Sequence, residues 1–386
     1  MTVDFNDEIL VPTGDVGDFG VVACDQFSSS PEYWNGLASK LPSLSALDLI
    51  LPECFLSESV ERIERIKAAA KSMAENNRFD CYRGAVYVTR TTAYGRTRHG
   101  VVASINLKDY DYKAGSKTLI RASERTIEER IPPRVKIREA IDIELPHILL
   151  LVDDREDALM SACRNAQKRK LYEGELSGGG GHISGQLITQ TKPLEQAVEN
   201  IINASVEKFG DKLFALVGDG NHSLATAKFC NVNFPTPLNG KALVEIVNIY
   251  DEGLVFEPIH RLVQTSDPVM FIDSLRLAVK GDAKANLWTT SYEQPIEIQV
   301  PSDKIEAINA IDRFCETFVK HFGGYIEYVH GEAALKRDGH LGIEMRGIEK
   351  SELFGYVVKN GVLPKKTFSL GEAEEKRYYI EARKIK

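Results

Sequence analysis

The densest group of chemically useful residues is Gly218-Asp219-Gly220-Asn221-His222-Ser223, between an apolar run and a helical pattern. Glycines at such a junction let the backbone take a left-handed conformation or approach a ligand closely. The amide groups that open the following helix favour an anion. Asp219 could hold a metal ion or act as a base, and His222 and Ser223 could donate to a phosphate oxygen. The same pattern is typical of a plain strand-to-helix turn in which Asp219 or Asn221 caps the helix.

A second candidate is the basic stretch 113–138, which carries eight Lys and Arg residues and three Glu residues in an acidic chain. A local positive field of this kind suits an anionic ligand such as a nucleotide or a phosphoester. For any single base, the alternative is a solvated surface with weak ion pairs. Arg134, Lys136 and Arg138 alternate with Val135 and Ile137, which predicts that the three bases share one side of a strand.

Four consecutive glycines in the run Ser177-Gly178-Gly179-Gly180-Gly181-His182 predict a hairpin or a lid. The run is not a P-loop, because GxxxxGK[ST] does not occur in the chain. His260 and Arg261 could line a site, with a core histidine as the alternative. Lys365 and Lys366 could contact a phosphate, with a solvated loop as the alternative. The possible substrate contacts are Arg134, Gly179, Gly180, His182, His260, Arg261, Lys365 and Lys366.

The chain as a whole has 386 residues, 43% hydrophobic and 27% charged, with a net charge of −8. These values predict a folded chain with a substantial core. A negative balance disfavours nucleic acid as a partner, and no apolar run reaches the length of a membrane span. The acidic start is unlike a signal peptide, so we expect a cytoplasmic protein. Oligomeric state is not readable from the sequence.

Secondary-structure patterns alternate between helix and strand, which predicts an α/β or α+β fold with mixed sheets. Helices are predicted over 57–77, 193–209, 267–279 and 303–322, and after residue 220 to about residue 230. Hairpins are predicted over 85–106 and 242–263, single strands over 145–152 and 213–217, and strands through 341–386, split at Gly347 and Asn360-Gly361. The expected regions are 1–110, 111–265 and 266–386, with a single compact unit as the alternative.

Several motifs of this chain resemble those of the bacterial and archaeal domain-of-unknown-function family 1015. The resemblance covers nearly the whole sequence, and its centre is the run from Gly218 to Ala227. The matching segments are 22–26 with 31–34, 131–139, 145–148, 218–227, 257–261, and 371–373 with 376–379. Many relatives read Asp-Gly-His-His-Arg at the centre, where this chain has Asn221 for the first His and Ser223 for the Arg.

The central signature also resembles the phosphate-binding turn of the ParB/sulfiredoxin superfamily, which includes a free-serine kinase. This resemblance implies a ParB/sulfiredoxin-like core over about 130–230, elaborated by N- and C-terminal strands and helices. It further implies phosphoryl transfer, as a kinase or a phosphatase, on a small hydroxy amino acid or its phosphoester, serine or phosphoserine first. The implied partner is a small anionic metabolite or a nucleotide.

The roles implied by this resemblance place the chemistry around the central signature. Glu139 would be the general base, Asp219 would bind Mg²⁺ or assist the base, and His222 could carry a phosphoryl group. The implied phosphate or nucleotide contacts are Lys136, Arg138, Gly218, Gly220, Asn221 and Ser223. ATP or ADP would be the nucleotide. No haem, flavin, zinc or iron–sulfur centre is expected, since no two of the six cysteines stand at CxxC spacing.

An alternative of another class stays open at this point. The chain could be a non-catalytic protein that binds a nucleotide or metabolite and regulates a partner, with its departures from Asp-Gly-His-His-Arg marking lost catalysis. Turnover separates the two hypotheses. A structural protein without a ligand is the third interpretation.

Overall fold

The computed structural model of the protein describes residues 1–22 and 31–386. Residues 23–26 of the opening family motif therefore lie outside the described residues. The chain divides into two units: the first combines Met1–Leu254 with Ala373–Lys386, and the second is Val255–Glu372. The three-region division at residues 110 and 265 stays a prediction.

The helices and strands up to residue 254 all belong to the first unit. They are β1 Val3–Asp4, β2 Glu8–Pro12, α1 Val16–Phe19, α2 Pro31–Ala38, α3 Ser59–Glu75, β3 Phe79–Arg83, β4 Ala85–Thr91, β5 Thr97–Asn106, β6 Tyr110–Asp111, β7 Ile120–Ala122, α4 Ile131–Ala140, β8 Ile143–Glu144, β9 Leu149–Val152, α5 Ala158–Asn165, β10 Lys168–Leu176, β11 Gly181–Ile188, α6 Lys192–Phe209, β12 Ala215–Asp219, α7 Asn221–Asn233 and β13 Lys241–Asn248.

The remaining elements form the second unit, apart from the last strand, which returns to the first. They are β14 Phe256–Gln264, α8 Pro268–Ala278, β15 Ala283–Trp288, β16 Ile296–Val300, α9 Lys304–Phe322, β17 Tyr325–His330, β18 His340–Ile343, α10 Lys350–Asn360, β19 Phe368–Leu370 and β20 Arg383–Lys384. Among the helices of the described ranges, none combines the length and apolar character needed to cross a membrane.

The first unit is built on a ten-stranded sheet in the order β10-β11-β4-β5-β13-β9-β12-β7-β6, with β1 beside β5. The sheet is mixed, because β9 runs parallel to β13 and antiparallel to β12, while β12 runs parallel to β7. Every residue of β9 is at most 2% exposed, as expected of a strand covered on both faces. Apolar side chains of α5, α6 and α7 pack on one face of this sheet.

The second unit has an antiparallel sheet in the order β16-β15-β18-β14-β17, with β19 paired to β14. Helix α9 buries one apolar stripe, which includes Ile308, Ile311 and Cys315. The rings of Phe271 on α8 and Phe318 on α9 are 4.9 Å apart in an edge-on arrangement, a geometry that aromatic pairs favour.

Many sequence predictions are confirmed. The protein has mixed α/β structure, and helices α3, α6, α8 and α9 match the four predicted spans closely. The hairpin over 85–106 is present as β4 and β5. Amphipathic periodicity was sufficient for these elements, because each buries a single face against one neighbouring layer. The likeness of the core to the ParB/sulfiredoxin superfamily stays a prediction.

The strand predicted for Arg134, Lys136 and Arg138 is wrong, since these residues lie on helix α4. Two prolines occupy the first turn of α4, where a missing N–H is harmless. The buried positions are Ile131 and Val135, a spacing of four that belongs to a helix. The apparent alternation of bases and apolar residues was too short to separate the two periods.

Two other predictions are also wrong. Residues 242–263 do not form a hairpin, because β13 pairs with β5 and β9, whereas β14 belongs to the sheet of the second unit. The segment 341–386 is not made of strands alone, because Lys350–Asn360 is helix α10. Two apolar runs beside a turn do not specify which strands they pair with, since pairing is decided by the whole sheet.

Candidate functional site

The turn of residues 218–223, called here the 218–223 turn, joins β12 to α7. Gly220 has φ +80° and is the N-cap of α7. A Cβ atom on Gly220 would lie 2.9 Å from the Cα of Ile148, so both the conformation and the space require glycine. The N–H of Gly220 donates to Oδ1 of Asp219 at 2.8 Å. The turn is therefore tight, and it is backed by the chain that enters β9.

The first turn of α7 offers amide groups to an anion. The helix proper begins with the N–H of Leu224 donating to the carbonyl of Gly220 at 3.0 Å. Because Gly220 has no side chain, the N-cap residue cannot satisfy the amides that precede this bond. Helix α7 is 13 residues long, so its aligned peptide dipoles add a partial positive charge at this end. This geometry suits a phosphate or a carboxylate.

The loop of residues 123–127, called the 123–127 loop, forms a second wall beside this turn. Strands β7 and β12 are parallel neighbours, so their carboxyl ends lie at the same edge of the sheet, where α/β proteins commonly bind ligands. Oγ of Ser123 donates to the carbonyl of Val217 at 2.5 Å. The N–H of Ile127 donates to Nε2 of His222 at 3.2 Å. Both ends of the loop are thus attached to the β12–α7 connection.

The contact with Ile127 also selects the tautomer of a neutral His222 ring. A ring nitrogen that accepts a backbone N–H carries no proton, so the proton of the neutral ring lies on Nδ1. The carbonyl of His222 accepts from Oγ1 of Thr226 at 2.7 Å, which holds the first turn of α7 in place. A phosphoryl group on Nε2 would require the bond to Ile127 to break.

Two polar atoms at this edge of the sheet are buried without a hydrogen-bond partner among the described residues. They are Oγ1 of Thr126 and Oδ1 of Asn221. Asn221 was among the residues expected from the sequence, whereas Thr126 was missed. The only sequence signal for Thr126 was its place inside the basic stretch. Thr126 is the one hydroxyl residue of the 124–130 segment, and that stretch was considered only for its charged residues.

Four of the predicted site residues lie on helix α4, which packs against α7. Arg138 forms an ion pair with Glu144 at 2.6 Å, and Lys136 and Glu139 are exposed. Arg138 and Glu139 both influence the pKa of the Cys230 thiol, which burial raises. Cys230 is nine residues beyond the start of α7, about 13 Å along the helix at 1.5 Å per residue.

The fourth residue, Arg134, is on the same helix and donates to the carbonyl of Arg130 at 2.9 Å. In contrast, Arg125 is an exposed base on the 123–127 loop itself. The 123–127 loop therefore carries a positive charge of its own.

The glycine-rich run is the tip of the β10–β11 hairpin. Arg90 is buried there and donates to the carbonyl of Gly180 at 2.9 Å, and burial lowers the pKa of Arg90 to about 10. A Cβ on Gly180 would lie 2.4 Å from Oη of Tyr378, whereas Gly179 has open space beside it. Tyr378 also donates to the carbonyl of Ser177 at 2.7 Å. The tip is therefore clamped by its own chain.

Two adjacent residues of the C-terminal segment, Tyr378 and Tyr379, contact the hairpin tip and the chain that backs the 218–223 turn, respectively. Tyr378 contacts the tip, and the ring of Tyr379 lies 4.9 Å from that of His147. His147 precedes Ile148, the residue that backs Gly220. The adjacent Arg377 donates to the carbonyl of Pro146 at 3.0 Å. The family motif at 376–379 is thus a support for the chain entering β9.

Four further predicted contacts lie in the second unit and are bonded within it: His260, Arg261, Lys365 and Lys366. Nδ1 of His260 accepts from the N–H of Met345 at 3.0 Å. Arg261 is 0% exposed and makes a two-pronged ion pair with Asp312 at 2.7 and 2.8 Å. Lys365 pairs with Glu316 at 2.8 Å. These interactions tie β14 and α9 to neighbouring segments of the same unit.

The carbonyl of Lys366 accepts from Nη1 of Arg261 at 3.0 Å, so Lys366 also has a structural role through its backbone. On the surface of the first unit, His182 is flanked by Glu175 at 2.9 Å and Glu173 at 3.3 Å. The hydrogen bond to Glu175, followed by that to Glu173, raises the pKa of His182.

Within residues 1–22 and 31–386, no group of three or more His, Cys, Asp or Glu side chains is arranged to hold a metal ion. The 218–223 turn contributes one carboxylate, that of Asp219. Mg²⁺ is commonly bound by one or two protein carboxylates together with substrate phosphates. Asp219 therefore fits a Mg²⁺ ion that arrives with a nucleotide.

Comparison with known families confirms the resemblance seen in the motifs. Residues 8–339 match the family described as "Protein of unknown function (DUF1015)". The chain belongs to this family. The match includes the 218–223 turn, the 123–127 loop and the 257–261 segment. No curated protein matches the chain in sequence.

Solved structures that resemble the chain are all distant. A conserved hypothetical protein from Pyrococcus furiosus is 12% identical, with a TM-score of 0.38 over 74% of this chain and 95% of that one. A variant of free serine kinase in complex with AMP is 11% identical, with a TM-score of 0.41 over 72% and 91%. A C-terminally truncated SbnI from Staphylococcus aureus is 8% identical, with a TM-score of 0.39 over 70% and 82%.

Proposed function

We propose that the protein is a phosphoryl-transfer enzyme that binds a phosphate at the 218–223 turn. The substrate would be a small hydroxy amino acid or its phosphoester, with serine or phosphoserine first. One observation carries the proposal: Gly220, in a left-handed conformation pressed against Ile148, opens a 13-residue helix at the carboxyl end of β12. The choice of substrate is supported by the resemblance of the central signature.

Phosphoryl transfer depends mainly on positioning and on neutralising charge. The amides of Asn221, His222 and Ser223 would hold the phosphate, and Arg125 would add positive charge from the 123–127 loop. Asp219 would stand next to this phosphate, either accepting the proton of a substrate hydroxyl or holding Mg²⁺. When bound, Mg²⁺ would neutralise charge on the phosphate oxygens.

Asp219 is favoured over Glu139 as the general base. A base must come within hydrogen-bond reach of the proton it removes, directly or through one water. Asp219 is part of the 218–223 turn, whereas Glu139 is exposed on α4. The role that the resemblance implied for Glu139 therefore passes to Asp219 in this proposal.

The first test is a thermal-shift panel with ATP, ADP, CTP, pyrophosphate, L-serine and O-phospho-L-serine, with and without Mg²⁺. A ligand at 100 times its Kd adds about 2.7 kcal/mol to the free energy of unfolding. Each ligand that shifts Tm is then assayed for released or transferred phosphate. A shift with turnover supports the enzyme, and a shift without turnover favours the binding protein. No shift with any ligand contradicts the proposal.

The second test compares the two carboxylates. We expect Asp219→Asn to abolish turnover with little change in Tm, because asparagine keeps an Oδ1 that can accept from the N–H of Gly220 and loses only the charge. Glu139→Gln, the matched control, is expected to keep turnover within a few-fold of wild type. Full activity of Asp219→Asn would refute the assignment of Asp219. Loss of activity in Glu139→Gln alone would return the role of base to α4.

A further inference from the structure

Thr126 combines burial with an unused hydroxyl group beside the proposed phosphate site. It is 8% exposed, and its Oγ1 has no hydrogen-bond partner among the described residues. Leaving a buried polar group unpaired typically costs about 1–3 kcal/mol. Native proteins contain few such groups, and an unpaired one calls for an explanation such as a water, an ion or a ligand.

Thr126 lies in the 123–127 loop, and the contacts of this loop indicate which group could accept a hydrogen bond from its hydroxyl. The 123–127 loop is bonded to β12 through Ser123 and to the first turn of α7 through Ile127. Thr126 lies between these two contacts, at the edge of the sheet where the amides of α7 begin. A second unpartnered atom, Oδ1 of Asn221, belongs to that same first turn. Because Oδ1 of Asn221 is an acceptor, the hydroxyl of Thr126 is the one of these two atoms that could donate to an anion at this helix terminus.

We propose that Thr126 is a ligand-binding residue whose hydroxyl group donates a hydrogen bond to a phosphate oxygen held by the 218–223 turn. This inference rests on the proposed function and adds the 123–127 loop to its binding site. The chemistry recognised is a phosphate oxygen, whether it belongs to a nucleotide or to a small phosphoester. No covalent step involves Thr126.

Thr126→Val is the variant that tests the proposal, because valine keeps the shape of threonine and removes the hydroxyl. Replacing an unpaired buried polar atom with an apolar one is neutral or stabilising, so Tm of the ligand-free variant should be equal to or above that of wild type. Binding of ADP and of inorganic phosphate, measured by calorimetry, should weaken by about tenfold or more, since the lost bond is to a charged group. Thr126→Ser should restore the affinity.

Tyr110→Phe is the matched control. The hydroxyl of Tyr110 on β6 is also buried without a partner among the described residues, but Tyr110 belongs neither to the 218–223 turn nor to the 123–127 loop. Its removal should leave Tm equal or higher and leave both affinities unchanged. The two variants thus share the expected effect on stability and differ in binding.

Three results would overturn the inference. Equal binding of ADP and phosphate by wild type and Thr126→Val would remove Thr126 from the site and leave the proposed function standing. A Tm of ligand-free Thr126→Val well below that of both wild type and Thr126→Ser would show that the hydroxyl already has a partner in the free protein. If neither probe binds to wild type at all, the proposed function and this inference fall together.

Discussion

Two polar segments of the chain, the 218–223 turn and the 257–261 segment, were singled out by their residue types, and the structure gives them opposite environments. In the 257–261 segment, Arg261 is wholly buried and donates hydrogen bonds to groups of its own unit: Asp312 through two bonds, and the carbonyls of Ile259 and Lys366. At the 218–223 turn and the 123–127 loop, one buried polar atom each, Oδ1 of Asn221 and Oγ1 of Thr126, has no hydrogen-bond partner among the described residues.

This difference separates a structural polar cluster from a candidate ligand site. A buried ion pair whose hydrogen-bonding groups are all used has no capacity left for a ligand, and its loss is felt as lost stability. A helix terminus with unpaired neighbours has capacity left, and its loss should be felt as lost binding. Residue type alone does not distinguish the two, since each segment contains one histidine and one acidic residue.

The largest effect is expected from Arg261→Met. It leaves Asp312, whose side chain is 13% exposed, as an uncompensated charge, which typically costs about 3–5 kcal/mol. Urea unfolding followed by the fluorescence of Trp288, which lies in the second unit, should show a lower midpoint, while Trp34 reports on the first unit. Arg261→Lys should be intermediate. A folded variant with unchanged stability but lost ADP binding would break the comparison.

A smaller effect on stability but a decisive one on binding is expected from Gly220→Ala. The left-handed conformation costs alanine about 1–2 kcal/mol, and the new Cβ would meet the backbone of Ile148 at 2.9 Å. We expect the free energy of unfolding to fall by about 2–3 kcal/mol and phosphate binding, measured by calorimetry, to be lost.

Gly210→Ala is the control for this variant. Gly210 has φ +67° and nothing within 4 Å of the added Cβ, so only the conformational cost of about 1–2 kcal/mol applies. Its affinity for phosphate should equal that of wild type. If Gly220→Ala bound phosphate as tightly as wild type, the 218–223 turn would have only a structural role.

The smallest effect concerns His182, a predicted contact that is satisfied at the surface. Its pKa is raised above 6.5, first by Glu175, so its contribution to stability is fully present below pH 6.5 and is lost as the pH rises through the raised pKa. Exposed pairs of this kind contribute at most about 0.5–1 kcal/mol. Tm of wild type should therefore decline slightly over this range relative to His182→Gln. An equal pH profile of the two proteins would show that the pair contributes nothing.

The sequence by itself determined the family, the mixed α/β class and the long amphipathic helices. Each of these depends on local periodicity or on a contiguous motif, which a single chain displays directly. It also located the 218–223 turn, because glycines and polar residues between an apolar run and a helical pattern mark the junction of a strand and a helix. The short helix α4 was mistaken for a strand, since two buried positions do not define a period.

Tertiary structure alone decided which of the candidate residues stand together. Glu139 and Arg138 proved to lie on a helix, α4, and His260 and Arg261 proved to be bonded within the second unit. The 123–127 loop, which contains Thr126, lies beside the 218–223 turn because β7 and β12 are parallel neighbours. Strand order and hydrogen-bond partners arise from contacts between residues distant in sequence, so no local pattern specifies which polar groups end up satisfied and which are left for a ligand.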